Sequence, residues 1–199
     1  MAASRPTILS ILLLTALSAC GGSDRPEPGE IALTDLFTAD FALTDMTGEP
    51  ATDERFEGEP MFIYYGFTTC PEVCPTALAT MSASLDALGR DAGRIQPLFI
   101  TVDPERDTAE KLSAYLAFDD RILGLTGTPE AVDAARESLK VFAAKVPLED
   151  SAMVYTMDHQ SMFYVTDAAG KPLYALDDGM PPESIARVIE RALRASGRG

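Results

Sequence analysis

The chain has 199 residues, of which 46% are hydrophobic and 24% are charged, and its formal net charge is -15. This length supports one domain with its own hydrophobic core, and the composition excludes general disorder and a collagen-like repeat. The strong negative charge argues against a nucleic-acid partner, because phosphate groups would be repelled.

The first residues are typical of a targeting segment rather than of a folded element. Arg5 is followed by an apolar run over residues 7–19. This run is shorter than the ~20 residues that a membrane span needs, and it has the size of the hydrophobic region of a signal peptide. Its end, Leu17-Ser18-Ala19-Cys20, resembles the lipobox of bacterial lipoproteins, which predicts cleavage before Cys20 and a lipid on that residue. Ordinary cleavage near Ala19 and an uncleaved anchor are the alternatives.

The N-terminal pattern therefore predicts three parts: a lipoprotein signal peptide over residues 1–19, a lipidated tether over residues 20–35, and a folded domain over residues 36–199. The tether is polar and rich in Pro and Gly, as linkers are. We expect a membrane-anchored domain in the bacterial cell envelope that faces the periplasm, where a dithiol can be oxidised.

The first half of the domain is predicted to contain two neighbouring strands. A turn over residues 45–48 predicts a small N-terminal β-hairpin, and residues 52–56 are expected to form one helical turn. The apolar run over residues 61–67 predicts a buried strand, followed by a helix from about Pro75 to Leu88. Residues 96–102 predict a parallel strand beside the first.

The middle of the chain is predicted to be mainly helical. Residues 107–110 resemble a capping box with Asp107 as the N-cap, which predicts a helix to about Phe118. A short strand is expected over residues 121–126. A second helix is expected to begin at Pro129 and to run to about residue 144, followed by an irregular segment over residues 145–158.

The C-terminal part predicts a strand over residues 161–166, an antiparallel strand over residues 172–176 and an amphipathic helix over residues 182–195. This order predicts an α/β, thioredoxin-like fold with an N-terminal β-hairpin extension and a mid-chain helical insertion. A right-handed crossover then places the start of the first helix at the carboxyl end of the central strand.

Two thiols lie at that junction, Cys70 and Cys74. A pair four residues apart forms a disulfide, a metal pincer or both. The N–H groups of a helix start favour a thiolate, so we expect the pKa of Cys74, directly before Pro75, to be lowered. Two thiolates are soft donors that select Cu(I), or Zn²⁺ with further ligands.

His159, the chain's only histidine, is the candidate for a third donor. A lone histidine is more often a surface or hydrogen-bonded residue, so the ligand role stays a hypothesis at this point. Asp158 either orients the imidazole ring or is simply solvated. Asp103 either belongs to a solvated turn or supports the site. The neighbouring methionines also suit Cu(I), although methionine more often fills gaps in a core.

Four motifs in this order resemble the Sco (SenC-type) family. They are YGFTTCPEVCPT (residues 65–76), FITVDPERDT (99–108), GLTGT (124–128) and YTMDH (155–159). The resemblance covers residues 41–193. It implies copper binding through Cys70, Cys74 and His159, with Cys70 and Cys74 as a redox-active disulfide pair and with Asp103 supporting the site.

The same resemblance implies a copper metallochaperone that helps to assemble the binuclear copper centre in subunit II of cytochrome c oxidase. Many relatives use a membrane-spanning helix, whereas this chain is predicted to be lipidated on Cys20, and we expect a monomer. The alternative function is a membrane-tethered thiol–disulfide oxidoreductase that reduces cysteines of an extracytoplasmic target and needs only the two cysteines. A peroxidase is a weaker hypothesis, because peroxide chemistry does not need a second cysteine four residues on.

Overall fold

The computed structural model describes residues 25–149 and 153–197, so the predicted signal peptide and Cys20 lie outside the described residues. The strands are β1 (Glu30–Ala32), β2 (Ala42–Asp45), β3 (Pro50–Thr52), β4 (Met61–Gly66), β5 (Gln96–Thr101), β6 (Leu123–Thr126), β7 (Ala143–Pro147), β8 (Tyr155–His159), β9 (Met162–Thr166) and β10 (Pro172–Asp177). The helices are α1 (Val73–Leu88), α2 (Ala109–Tyr115), α3 (Pro129–Ser138) and α4 (Pro182–Ser196). Across the two described ranges, none of the helices has the length and apolar character to cross a membrane.

One large sheet organises the domain. It contains eight strands in the order β1-β10-β9-β4-β5-β6-β2-β3, while β7 and β8 form a separate hairpin. β4 and β5 are parallel, as are β5 and β6, and β9 runs antiparallel on the other side of β4. α1 and α4 pack against each other, α2 packs on β6 and α3 packs on β2. The predicted α/β, thioredoxin-like fold is confirmed.

β4 is the centre of the hydrophobic core. All its residues are buried, and the ring of Phe62 lies 5.1 Å from that of Phe163 on β9. A strand that is covered on both faces has a continuous apolar run instead of an alternating one. For this reason the sequence identified β4 and its parallel neighbour correctly.

The N-terminal hairpin is also confirmed, with β2 and β3 paired antiparallel. Its turn is held by Asp45, whose carboxylate accepts hydrogen bonds from the amides of Thr47 and Glu49 at 2.8 and 3.1 Å. The predicted helical turn follows as a 3-10 helix over Asp53–Phe56.

The end of α3 differs from the prediction. The helix begins at Pro129 as expected but ends at Ser138, well before the predicted end. Lys140 has a φ of 58°, and the amide of Val141 donates to the carbonyl of Arg136 at 2.8 Å. This is a left-handed C-terminal cap, a position that glycine usually occupies, so a lysine there carries no stop signal.

The prediction of an irregular segment over residues 145–158 is wrong at both ends, because residues 145–147 belong to β7 and residues 155–158 belong to β8. Ala143 pairs with His159 and Pro147 pairs with Tyr155. Both strands are short and partly or fully exposed, and neither contains the continuous apolar run that marks β4, so the strand signal is weak. The histidine therefore ends a strand instead of lying in a loop.

The start of α2 lies one residue later than the capping-box pattern indicated. Thr108 is the N-cap, and its side chain accepts from the amide of Lys111. Asp107 is instead fully buried and accepts hydrogen bonds from the hydroxyls of Thr68 and Thr101 at 2.6 and 2.7 Å. It thereby ties the end of β5 to the loop that leads into α1.

The predicted tether over residues 20–35 is too long, because the folded part begins before residue 36. β1 pairs with β10 at the edge of the sheet. Arg187 on α4 pairs with Glu27 at 2.8 Å, and Arg191 on the same helix pairs with Glu30. These ion pairs join residues far apart in the chain, so no local pattern could reveal them.

Candidate metal centre

Cys70 and Cys74 lie where the chain passes from β4 into α1. The helix begins at Val73, slightly earlier than predicted, so Cys74 lies in its first turn. Both thiols are free, and Cys74 is buried whereas Cys70 is partly exposed. A Cβ atom on Gly66 would lie 3.0 Å from Cys74 Sγ, so the glycine leaves room for the sulfur behind the strand.

The first turn of α1 donates its hydrogen bond to the sulfur of Cys70 rather than to that of Cys74. The amide of Cys74 donates to Cys70 Sγ at 3.3 Å. Free N–H groups of a helix start, together with the helix dipole, stabilise a negative charge that lies close to them. The more exposed sulfur, that of Cys70, is therefore the one that faces this amide.

The expectation that the helix lowers the pKa of Cys74 is wrong. Burial raises the pKa of this thiol to about 12, and the neighbouring Cys70 adds to the rise. A hydrogen bond from the backbone amide of Phe67 opposes the shift but does not overcome it. Loss of solvent around a sulfur without an adjacent cation disfavours the thiolate, so metal-free Cys74 is a protonated thiol at neutral pH.

His159 directs its ring at the same sulfur. Its Nε2 lies 3.6 Å from Cys74 Sγ, and its Nδ1 lies 3.1 Å from the carbonyl oxygen of Gln160. Because a carbonyl only accepts, Nδ1 carries the hydrogen and Nε2 keeps a lone pair that faces the sulfur. Burial lowers the pKa of His159, which favours the neutral ring that binds metals. Phe67 and Tyr64 hold the ring edge-on, with centroids 5.6 and 6.4 Å away.

Asp103 supports the other end of the strand that carries His159. Tyr155 begins β8, and its hydroxyl donates to Asp103 at 2.8 Å. Arg106 pairs with Asp103, donates to the carbonyl of Tyr155 at 2.9 Å and lies 3.8 Å from the centroid of the tyrosine ring. Asp103 therefore joins the start of β8, through Tyr155, to the end of β5.

Asp158 is exposed, and its charge partly opposes the lowering of the His159 pKa by burial. The ring nitrogen that an orienting carboxylate would hold faces the carbonyl of Gln160 instead. Among the neighbouring methionines, Met162 accepts a hydrogen bond from the Gln160 side chain at 2.9 Å, and Met157 packs against the core. These contacts are those of packing residues.

Sequence reasoning missed a group of polar side chains behind Cys74. The hydroxyl of Tyr64 lies 3.9 Å from Cys74 Sγ and 2.8 Å from the hydroxyl of Ser161. Ser161 in turn donates to Asp178 at 2.5 Å. A tyrosine in a buried strand needs a partner for its hydroxyl, which is the one signal available in the sequence. Nothing in the local pattern marks Asp178.

The structure thus brings Cys74 and His159 together and places Cys70 Sγ beside the amide of Cys74. Over residues 25–149 and 153–197, no three His, Cys, Asp or Glu side chains are grouped closely enough to hold a metal ion. The donor types, thiol sulfur and imidazole nitrogen, are those that suit soft and borderline metals.

Comparisons with known proteins identify the family. The SCO1/SenC family model matches residues 30–194. The SCO2-like protein of Rickettsia conorii is 40% identical over 135 residues, which are 67% of this chain and 66% of that protein. The chain thus spans slightly less than two-thirds of the length of this curated relative.

Solved structures agree with the sequence comparison. The structure of ScoI from Bradyrhizobium japonicum with copper bound has a TM-score of 0.72 and 38% identity, covering 78% of this chain and 99% of that one. Yeast Sco1 with copper bound has a TM-score of 0.73 and 33% identity, covering 80% of this chain and 89% of that one. On the evidence of its fold, its motifs and these matches, the chain belongs to the SCO1/SenC family.

Proposed function

We propose that this protein is a copper metallochaperone of the bacterial cell envelope that binds copper through Cys70, Cys74 and His159. The observation that carries the proposal is the 3.6 Å approach of His159 Nε2, whose lone pair faces the sulfur, to Cys74 Sγ. Copper is the cargo, and it is held by two soft sulfur donors and one imidazole. The copper-bound relatives from Bradyrhizobium japonicum and yeast support this choice of metal.

Each donor contributes differently to loading. Cys70 is partly exposed and faces the start of α1, so it is the sulfur that arriving copper meets first. Its side chain then turns from the amide of Cys74 toward His159 to complete a three-donor site. Because burial raises the pKa of Cys74, copper displaces a proton from this thiol when it binds.

The delivery target that we propose is the binuclear copper centre in subunit II of cytochrome c oxidase, as the family resemblance implies. The protein acts as a monomer, and a lipid on Cys20 holds it to the membrane with the domain in the periplasm. The Cys20→Ala substitution tests the anchor: the protein is expected to move from the membrane fraction to the soluble fraction. Retention in the membrane fraction would contradict lipid anchoring.

The function is tested by transfer. The reduced, copper-loaded chain is mixed with the metal-free soluble domain of oxidase subunit II, the two proteins are separated, and the copper content of subunit II is measured. We expect transfer from the wild-type chain and none from the Cys70→Ser or Cys74→Ser variants. Loading of subunit II at the same rate by free Cu(I) and by the chain would contradict the chaperone function.

A thiol–disulfide oxidoreductase is the second candidate, because Cys70 is partly exposed and therefore open to a disulfide of another protein. Such an enzyme needs only the two cysteines, so it does not require His159 as a metal ligand. Reduction of a model disulfide by the His159→Ala variant at the wild-type rate, together with unchanged copper binding, would favour it over the chaperone.

A further inference from the structure

The chain enters the folded domain at a point that side chains of α4 hold firmly. Arg187 donates two hydrogen bonds to the carboxylate of Glu27, at 2.8 and 3.0 Å. Arg191 pairs with Glu30, and these two side chains are only 9% and 5% exposed. The Glu30 carboxylate also accepts from the amide of Glu27 at 2.8 Å. These contacts fix the chain from Glu27 onwards, and we call residues 27–30 the tether root.

The backbone of the tether root is also closely fitted to the domain. The carbonyl of Gly29 accepts from the amide of Asp177 at 3.0 Å. Gly29 has a φ of 90°, and a Cβ atom at this position would lie 2.8 Å from Met180 Cγ. Glycine adopts this conformation without strain and leaves room for the methionine. From Glu30 the chain continues as β1, which pairs with β10. Both the side chains and the backbone therefore bind the chain to the domain well before residue 36.

The strand order places the tether root at the end of the sheet that carries the proposed copper ligands. β1 runs antiparallel to β10, β10 to β9, and β9 to β4. Because these three reversals make β1 antiparallel to β4, β1 begins at the end of the sheet where β4 finishes. The register agrees: Glu30 pairs with Leu176 on β10. Phe163 on β9 pairs both with Leu176 and with Tyr64, near the end of β4.

The distance from the tether root to the copper ligands follows from this register. Neighbouring strands lie about 4.8 Å apart, so three strand spacings place Glu30 about 15 Å from Tyr64. Cys70 and Cys74 follow shortly after the end of β4. The opposite end of the sheet lies roughly 20 Å away, because a strand of six residues rises about 3.3 Å per residue. The tether root therefore lies on the copper side of the domain.

The stretch between the proposed lipid and the tether root is short. Residues 21–26 separate Cys20 from Glu27, and seven backbone steps span at most about 25 Å. With a lipid on Cys20, the tether root cannot lie farther than this from the bilayer surface. Adding the distance of about 15 Å to β4 keeps the proposed copper site within about 40 Å of the bilayer. Since the domain cannot enter the bilayer, the opposite end of the sheet is held farther out.

We propose that the tether root orients the lipidated protein with the copper end of its sheet toward the bilayer, so that the surface around Cys70 and His159 faces the lipid headgroups. This orientation rests on the proposed function, because it requires a lipid on Cys20. Charge alone would not draw the protein to a bilayer, since its net charge is -15 and anionic headgroups repel it. The copper acceptors that suit this orientation are membrane-attached proteins whose metal-binding side chains lie within about 40 Å of the same bilayer.

The test measures how far the two ends of the sheet lie from the bilayer. The full-length lipidated chain is reconstituted into phosphatidylcholine vesicles in which a fraction of the headgroups carries an energy acceptor. A fluorescent donor is attached through Glu72→Cys, beside the copper site, or through Ala169→Cys, in the exposed turn between β9 and β10 at the opposite end. Both labelled chains carry Cys70→Ser and Cys74→Ser, so that only one thiol takes the donor. From the efficiencies of energy transfer, we expect the donor at position 72 to lie about 20 Å closer to the bilayer.

Two insertions of the same Gly/Ser segment provide matched controls. A segment of about 20 residues placed after Ser23 lengthens the tether by roughly 25 Å, so both donors should move away from the bilayer and the difference between them should shrink. The same segment placed after Leu36, which is exposed between β1 and β2, lies beyond the tether root and should leave both distances unchanged. A tether that extended to residue 35 would instead respond equally to the two insertions.

A donor at position 72 that lies no closer to the bilayer than the donor at position 169 would overturn the orientation while leaving the lipid anchor intact. Equal displacement by the two insertions would overturn the role of the tether root. A chain that leaves the vesicles as completely as its Cys20→Ala variant would overturn the lipid anchor, and the orientation with it. None of these measurements depends on copper, so they are independent of the copper-transfer test.

Discussion

Replacing Gly66 by alanine tests how closely the core is fitted around the Cys74 sulfur. The added Cβ would lie 2.8 Å from Phe99 Cε2, 3.0 Å from Cys74 Sγ and 3.0 Å from Tyr64 Cε1. Non-bonded carbon atoms prefer about 3.5–4.0 Å. All three side chains are fully buried, so none can swing aside into solvent. The variant must therefore shift either the strand or the sulfur.

The free energy of unfolding should fall by about 1–2 kcal/mol. Overpacking of a filled core costs about 1–3 kcal/mol, and the entropy that alanine saves in the unfolded chain returns roughly 0.5–1 kcal/mol. Urea unfolding followed by circular dichroism measures this change. Because one of the displaced atoms is a proposed ligand, the Cu(I) affinity of Gly66→Ala should also fall, by about tenfold for each 1.4 kcal/mol of strain at the sulfur.

Two other glycines provide matched controls. Gly124→Ala would place a Cβ 2.8 Å from Leu116 Cδ1 and 3.2 Å from Leu112 Cβ, both on the α2 side of the sheet. It should destabilise the fold and leave copper affinity unchanged. Gly93→Ala meets no atom within 4 Å, so both quantities should stay at the wild-type value. An unfolding free energy of Gly66→Ala within about 0.5 kcal/mol of wild type would refute the packing argument, as would an equal loss of copper affinity in Gly124→Ala.

Two further predictions concern the support of the site and the stability of the domain. Tyr155→Phe removes a hydrogen bond to Asp103 and loosens the start of β8. The unfolding free energy should fall by about 1 kcal/mol, and copper affinity should fall several-fold. Unchanged copper affinity would show that Asp103 does not position His159. A hydrogen bond from the Arg121 guanidinium lowers the pKa of Asp119 from its ordinary 3.8 to about 2. The ionised carboxylate therefore stabilises the folded state above about pH 4, and this contribution is lost as the pH falls toward 2. Asp119→Asn should lower the unfolding free energy by about 1–2 kcal/mol at pH 7 and by less at pH 3, and an equal loss at both pH values in urea titrations would contradict the assignment.

Features that depend on local patterns were predictable from the sequence. The buried strand β4 appears as a continuous apolar run, and Pro129 marks the start of α3. Features that depend on contacts between distant parts of the chain could not be predicted from the sequence. The stop at Lys140 uses a left-handed residue that is not glycine, and β1 is held by ion pairs to a helix at the other end of the chain.

The same distinction between local patterns and distant contacts applies to the candidate site. Its thiols were identified from residue type and spacing, because sulfur donors are uncommon and chemically distinctive. His159 was only a hypothesis from its residue type, and its ligand role was implied by the resemblance to the Sco family. The pKa of Cys74 was predicted in the wrong direction, since the sequence shows the neighbouring helix but not the burial that outweighs it. Asp178 was missed because its connection to the sulfur passes through Ser161 and Tyr64, which are far apart in the chain.

The central claim is that His159 completes a copper site with the two cysteines. The most direct measurement is the copper content and Cu(I) affinity of the reduced full-length chain, compared with those of His159→Ala. We predict a single copper ion per wild-type chain and an affinity loss of at least about tenfold in the variant, because one of three donors is removed. Equal stoichiometry and equal affinity in the two proteins would contradict the claim.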